Sequence, residues 1–321
     1  MKIGTRASAM AMAQTNEIVR LLKAADPTLA PEAATMSSRG DRDQVSKLLV
    51  HGGKGGAFVA EIRAALHEKR IAAAMHSLKD MPGDEETPGL VIGAYLKREA
   101  GGDALVLREG LSLAAFEADG GSGFKIGTNA VRRGAFCHQI YPQAEIIHYR
   151  GAVDTRIEKL DRQVMQKLPD GGEVGPADAL IVAQAGLERL GFSARINKTF
   201  STEEMLPAIG QGIVAVECAE TDWATREVLE KIDNKAARLC ALAEREVLWL
   251  LNGHCNSPIA GRAWLEGESL HLSAAVLSLD GATVIRSAAH GEADRPCELG
   301  REVAMSLLQQ GAGPLIEAAR Q

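Results

Sequence analysis

The chain has 321 residues, a net charge of −6, 46% apolar and 24% charged residues, and only 4% aromatics. The length predicts two or three domains, the acidic balance argues against a broad nucleic-acid-binding face, and the few aromatics predict cores built mainly from Ala, Val, Leu and Ile. No apolar run approaches the roughly 18–20 residues of a membrane span, and MKIGTRASAMAMAQ at the start lacks the apolar stretch of a signal peptide, so a cytoplasmic protein is expected. Five widely spaced cysteines, without a Cys-x-x-Cys pair, predict free thiols and neither a disulfide framework nor a zinc site.

In chain order, KIGTR reads as a strand, followed by a helix from about Ser8 to Ala25 that stops at Asp26-Pro27. AATMSS reads as a second strand. The Gly-rich HGGKGG then leads into a helix, AFVAEIRAALHEKR, and AAAMHS reads as a third strand before Pro82. A second set begins near Asp103, with ALVL, KIGT, AEIIHY and ALIVA as strands and helices over Val131–Tyr141 and Ala152–Gln166. Leu168–Ala177, rich in Gly and Pro, predicts a loop insertion. IVAVEC, after the Gly210-Gln211-Gly212 turn, predicts a strand that returns to the first sheet. Such alternation predicts α/β architecture with two mainly parallel, doubly wound sheets, related in fold without a sequence repeat. From about Asn234 the pattern changes. A long helix, KAARLCALAEREVLWLL, meets a Gly-His-Cys turn, and IAGRAWLEG, SLHLSAAVLS and ATVIRSAAH alternate as in a small antiparallel sheet, before a last helical region. The expected division is residues 1–98 with 213–231, residues 99–212, and a C-terminal α+β domain over 232–321.

The arginines fall in a pattern. Arg6 ends the first strand, Arg39 precedes Gly40-Asp41, Arg132 and Arg133 open a helix after KIGTN, and Arg150 and Arg156 flank the start of the next helix. Doubly wound sheets bind ligands at the carboxyl ends of their strands. Helix N-termini there favour anions, and guanidinium forks hold carboxylates bidentately. The set predicts a ligand with several carboxylates. HSLKDMP, residues 76–82, places Asp80 beside Lys79 at the crevice mouth, where a carboxyl can pass a proton to a leaving group or stabilise a developing cation. A strand-ending turn with a surface ion pair is the plainer alternative. HGGKGG lacks the spacing and hydroxyl of a phosphate-binding loop and reads as a flexible loop, with a mobile lid as one option and Lys54 as a solvated charge as the plainer one. Cys255 stands in NGHCNSPIAG, a turn that favours exposure, with His254 beside it to lower its pKa when protonated. Spacing alone leaves open whether this thiol reacts.

TRAS, SSRGD, GGKG followed by Phe58 and Glu61, HSLKDMP, IGT-x-x-x-RR, RG-x-x-x-TR, AGLERLG, LPAIGQG and GHCNSPIAG occur in the order seen in hydroxymethylbilane synthases, or porphobilinogen deaminases. The chain resembles that family over nearly its whole length. The resemblance implies two domains like type II periplasmic binding proteins and a third whose cysteine holds a dipyrromethane cofactor through a thioether. It implies a monomeric transferase of haem and tetrapyrrole biosynthesis. Four porphobilinogen molecules are joined head to tail with loss of ammonia, and water then releases hydroxymethylbilane. No metal, nucleic acid or membrane partner is implied. By the same resemblance Cys255 is the attachment site and Asp80 the catalytic carboxylate, with Arg6 and Lys79 assisting. Arg6, Arg132, Arg133, Arg150, Arg156 and Arg189 hold acetate and propionate groups or support turnover. Ser8, Ser77, Lys79 and Thr128 contact cofactor or substrate, Phe58 is the aromatic of the active-site loop, and Gln211, on the substrate side, lies in the hinge motif.

Three features depart from the family pattern: an extra residue in GGKGGAF, Val50 where a lysine is usual (Lys47 is the nearest), and Ala130 where a serine is common. Two other readings stay open. One is a binding protein of the periplasmic type, against which the lack of a signal peptide, the third domain and Cys255 count. The other is a homologue impaired in chain elongation.

Overall fold

The computed structural model describes residues 1–36, 56–83, 85, 87–168, 171–253 and 257–320, with only the backbone of residues 56–58. Arg39, Lys47, Val50, residues 51–55 of HGGKGG with Lys54, His254, Cys255 and the Phe58 side chain lie outside the described residues.

β1 (Lys2–Arg6) leads to α1 (Ala9–Ala25), where Ser8 is the N-cap and its hydroxyl accepts from the Ala11 N–H at 3.3 Å. The helix ends at Asp26, which is extended as a residue before proline prefers. There follow β2 (Glu32–Met36), α2 (Gly56–His67), β3 (Ala73–Ser77), a 3-10 turn over Leu78–Asp80, and β4 (Leu90–Tyr95). The chain then crosses to a second sheet. There it forms β5 (Asp103–Leu107), α3 (Leu113–Glu117), β6 (Lys125–Gly127), α4 (Val131–Ile140), β7 (Glu145–Ile147) and α5 (Val153–Asp161). A small ribbon of β8 (Gln166–Lys167) and β9 (Glu173–Val174) precedes β10 (Ala179–Ala183), α6 (Gln184–Arg189) and β11 (Lys198–Thr199). The chain crosses back into β12 (Val214–Ala219), then α7 (Trp223–Glu230) and α8 (Lys235–Leu250). β13 (Ile259–Glu266), β14 (Ser269–Leu277), β15 (Val284–Glu292), α9 (Pro296–Gln309) and α10 (Ala312–Ala318) complete it.

The first sheet has the order β2-β1-β3-β12-β4 and the second β7-β6-β10-β5-β11. The two are the same arrangement. In each, two parallel neighbours flank the founding strand, and the strand arriving from the other sheet is inserted antiparallel next to them. The reason is geometric. A sheet's own strands run toward the crevice, whereas β5 and β12 enter from the crevice and run away from it. IVAVEC thus returns to the first sheet as expected, but reversed. The third sheet is the antiparallel meander β13-β14-β15, with α8, α9 and α10 against one face.

The first and third cores are aliphatic, built on residues such as Ile3, Ile18, Leu22 and Val216, and Leu270, Leu272, Val303 and Leu307. Each fully buried Leu or Ile contributes about 1.5–3 kcal/mol. The second core is also mainly aliphatic but takes in several of the few aromatics: Phe116, Phe136, Tyr141 and Phe200 are buried there, with Phe116 and Tyr141 edge to face at 5.0 Å.

Two element boundaries are also corrected. The helix expected over Ala152–Gln166 ends at Asp161, because Gln163 turns left-handed (φ 51°) and its amide donates to Leu160 O and Ala177 O. Gln166, placed in that helix by the sequence pattern, is strand, and the expected loop after it carries the second half of the ribbon. The helix expected to reach Tyr141 stops one residue earlier. Among the described residues no helix is long and apolar enough to cross a membrane, and Cys137, Cys218, Cys240 and Cys297 are free thiols.

Candidate active site

The carboxyl ends of β1, β3 and β6 meet the starts of β5 and β12, and the chemistry-bearing side chains gather there. After β3 the chain makes one 3-10 turn. Leu78 anchors it, 2% exposed, with its N–H donating to Ile213 O at 3.0 Å, and the Met81 N–H closes it on Leu78 O at 3.1 Å. Gly210 presses on this anchor with φ 74°; a Cβ there would stand 2.8 Å from Leu78 Cγ. Asp80 is left exposed at the tip of the turn. Lys79 is half-buried, and its ammonium donates to Gln211 Oε1 at 3.3 Å.

Behind Lys79 lies a buried knot. Asp103, fully buried, accepts from Arg132 Nη2 at 2.6 Å, Arg133 Nε at 3.0 Å and Gln211 Nε2 at 3.0 Å. Arg132 also donates to Leu206 O at 2.8 Å and Arg133 to Gln211 Oε1 at 3.3 Å. The Gln211 amide further bonds Gly101 O and Gly102 O at 2.8 and 3.0 Å. Both chain crossings are therefore tied at one amide. Burial alone would raise the Asp103 pKa, but Arg132 and Arg133 outweigh it and hold the carboxyl at about 2.

The cations in front of the knot have no such balance. Burial, with Arg133 and Arg132 adding repulsion against Asp80 and Asp103, pushes the Lys79 ammonium down to about 8. Burial, together with Arg133 and Arg150, pushes the Arg156 guanidinium down to about 10, with Asp80 the acidic residue that opposes this. Arg156 is fixed by a bond from Nε to Gly151 O at 2.7 Å. Among the described residues, Lys79 is thus repelled by Arg133 and Arg132, and Arg156 by Arg133 and Arg150, while Asp80 attracts both and Asp103 attracts Lys79. Such a wall favours an anionic ligand, and the residues present fit one carrying several carboxylates, as a dipyrromethane with acetate and propionate arms does. The helices that point here, α4 and α5, begin at Ala130 and Ala152 with no side-chain bond from the cap residue, although in α5 the Thr155 N–H donates to Asp154 Oδ1 at 2.8 Å.

The remaining expected residues divide. Arg6 ends β1, half-buried. Ser77 hydrogen-bonds the Gln14 amide at 3.0 Å, Thr128 Oγ1 accepts from the Ala130 N–H at 3.2 Å, and Ser8 caps α1. These three hydroxyls therefore already serve the local fold. Arg189 is paired instead with Glu99 of the first crossing, at 2.7 Å. Gln211 has its amide engaged by the hinge, which is a structural task beyond the substrate contact expected of it. Asp103 was not singled out from the sequence. The available signal was an acid opening an otherwise apolar strand, DALVL, which burial obliges to find cations.

The chain matches two family models: "Porphobilinogen deaminase, dipyromethane cofactor binding domain" over residues 1–227, and "Porphobilinogen deaminase, C-terminal domain" over residues 238–309. It is 35% identical over 318 residues to the porphobilinogen deaminase of Desulforamulus reducens, covering 99% of this chain and 97% of that one. It is 38% identical over 323 residues to that of Listeria welshimeri, with the same coverage. Among solved structures, the periplasmic VFT2 domain of BvgS from Bordetella pertussis has a TM-score of 0.38 and 13% identity over 72% of this chain and 86% of that one, a likeness too distant to bear on function. The full-length match sets aside the reading as a binding protein: the chain belongs to the porphobilinogen deaminase (hydroxymethylbilane synthase) family, with that family's dipyrromethane cofactor binding domain.

Proposed function

We propose that this transferase joins four porphobilinogen molecules head to tail, each with loss of ammonia, and releases hydroxymethylbilane, with Asp80 as its catalytic carboxylate and Cys255 as the thioether anchor of dipyrromethane. The observation that carries the reading is the exposed Asp80 acting on two cations, Lys79 and Arg156, in front of the Arg132–Arg133–Asp103 knot. When bound, dipyrromethane supplies the nucleophilic pyrrole carbon on which the chain grows. The side chains do the rest. Lys79, Arg150 and Arg156, with Arg6 at the end of β1, hold substrate carboxylates and so orient the aminomethyl arm. Arg132 and Arg133, locked on Asp103, keep the wall positive without moving. Asp80 holds the pyrrole N–H and passes a proton to the departing amine. A carboxyl in this role is worth about 10²–10⁴-fold in rate.

In this reading residues 1–98 with 213–231 form the first domain, 99–212 the second, and 232–321 the third. Porphobilinogen is the small-molecule partner of a cytoplasmic monomer. Arg189, Gln211, Ser8, Ser77 and Thr128 act indirectly, by holding the hinge and the turns on which the contacting residues stand.

The test is steady-state consumption of porphobilinogen by the purified protein, with ammonia measured alongside. The reading predicts sustained turnover with one ammonia per substrate consumed, and a loss of at least about 100-fold in Asp80→Asn. A single burst without turnover would indicate a homologue stalled in elongation, and no consumption would overturn the reading.

A further inference from the structure

The turn that carries Asp80 is held from outside its own sheet. Pro82, two residues past Asp80, offers its carbonyl to Arg245 Nη2 at 2.9 Å. Gly83 lies so close to α8 that a Cβ there would stand 2.6 Å from Leu248 Cβ. Arg245 and Leu248 both belong to α8, the helix that runs into the segment with Cys255, ten residues beyond Arg245. The helix leading to the expected cofactor anchor and the turn bearing the expected acid are therefore in direct contact, through one guanidinium and one close-packed glycine.

The surroundings of Arg245 are unusual for a residue that only stabilises. Glu217, 1% exposed on β12, is already shared by Arg63 of α2, with Nη2 at 3.0 Å, and by His76 Nε2 at 3.0 Å. Arg63 also reaches Glu85, beyond the Asp80 turn, at 3.8 Å. Arg245 stands near this cluster, where burial lowers its pKa, Tyr95 and Glu217 oppose that, and Arg63 adds to it. Its Nη1 is buried with no partner among the described residues. A desolvated guanidinium that has one carbonyl acceptor and an unpartnered nitrogen gives little net stability. What it does supply is a fixed distance between α8 and Pro82.

We propose that Arg245 is a positioning residue of the reaction: it sets the Asp80 turn against the helix that leads to Cys255, so that the carboxyl stays in register with the growing end of the chain. The proposal rests on the reading of Asp80 as the catalytic carboxylate. Displacements of about 1 Å at such a centre cost on the order of 100-fold, so the effect belongs in kcat. Arg245 is engaged with the Pro82 carbonyl and is not among the residues proposed to hold substrate carboxylates, so KM is expected to be spared.

The experiment uses holoenzyme and four variants: Arg245→Gln, Arg245→Lys, Asp80→Asn, and the double variant Arg245→Gln/Asp80→Asn. Arg245→Gln is expected to lose about 10- to 100-fold in kcat with KM within about twofold, and Arg245→Lys, which keeps a charged donor, to recover most of it. In the Asp80→Asn background Arg245→Gln is expected to change the residual rate less than about twofold, since no carboxyl remains to be misplaced. Amide exchange at Met81, whose N–H closes the turn on Leu78 O, is expected to quicken in Arg245→Gln and not in Asp80→Asn. An equal fold loss in both backgrounds, a raised KM at constant kcat, or an unchanged Met81 exchange rate overturns the proposal. Asp80→Asn working at the wild-type rate would remove the reading of Asp80, and this proposal with it, whatever Arg245 does.

Discussion

Replacing Asp103 by asparagine tests the electrostatic centre of the site. The substitution is nearly isosteric, so packing around this fully buried residue is kept, while Arg132 and Arg133 lose the one carboxylate they share at 2.6–3.0 Å. Removing one partner of a buried ion pair costs about 3–5 kcal/mol, because the other charge stays buried. A second route gives a lower bound. The two arginines hold Asp103 at about 2 against an ordinary 3.8 despite its burial, which by linkage is about 2–3 kcal/mol of stabilisation of the charged form. The sign follows from a depressed carboxyl pKa. The contribution is fully present above pH about 4 and is lost as pH falls toward about 2. Asp103→Asn should therefore lower the urea midpoint near neutral pH by the equivalent of about 3–5 kcal/mol at unchanged slope, and the gap to the wild type should narrow as pH falls below about 4. A loss under about 1 kcal/mol at neutral pH, or one equally large at about pH 3, would refute the account of Asp103 as the counter-charge of the arginine pair.

Three further outcomes are expected. Because burial and Arg133 bring the Lys79 ammonium down to about 8, kcat/KM for porphobilinogen should fall above about pH 8. kcat should hold to higher pH because bound carboxylates restore the charge, and Lys79→Arg should move the kcat/KM limb upward; a limb unmoved by that change would exclude Lys79 as its source. Ala130→Ser should raise stability in urea by about 0.5–2 kcal/mol, because α4 begins at Ala130 with no side-chain cap and a serine hydroxyl would accept from its first turn; no gain would mean those N–H groups are already satisfied. Gly210→Ala should cost about 1–2 kcal/mol for the left-handed backbone. It should also lower kcat, since the new Cβ would press on Leu78 beneath the Asp80 turn; retention of full kcat would show that the turn does not depend on that anchor.

Much of this was legible in the sequence because local signals and the tertiary fold agree. KIGTR, AAAMHS, ALIVA and IVAVEC are apolar runs of strand length, and each forms a strand. The arginines of α4 and α5 fall at the crevice because doubly wound sheets bring their strand ends together. What the pattern did not reveal are relations between distant residues. Nothing around Asp103 announces Arg132, Arg133 and Gln211 as its partners, and Gln211 looks like a ligand contact until its amide is seen tied to both crossings. Glu217 with Arg63 and His76 brings together residues up to 154 positions apart in sequence. The end of α5 was overrun because an amphipathic period continues past Asp161, while the left-handed Gln163 and its two carbonyl acceptors decide the turn. The reversed β5 and β12 follow from chain connection, which periodicity does not encode.

The central claim is that Cys255 carries the primer on which this chain builds a tetrapyrrole. Intact mass of the purified protein, followed by peptide mapping, tests it most directly. The account predicts a mass increase of two linked pyrrole units, confined to the peptide with Cys255 and regained by apoprotein on exposure to porphobilinogen. An unmodified Cys255 peptide that porphobilinogen fails to alter, or an adduct on another cysteine, would contradict it.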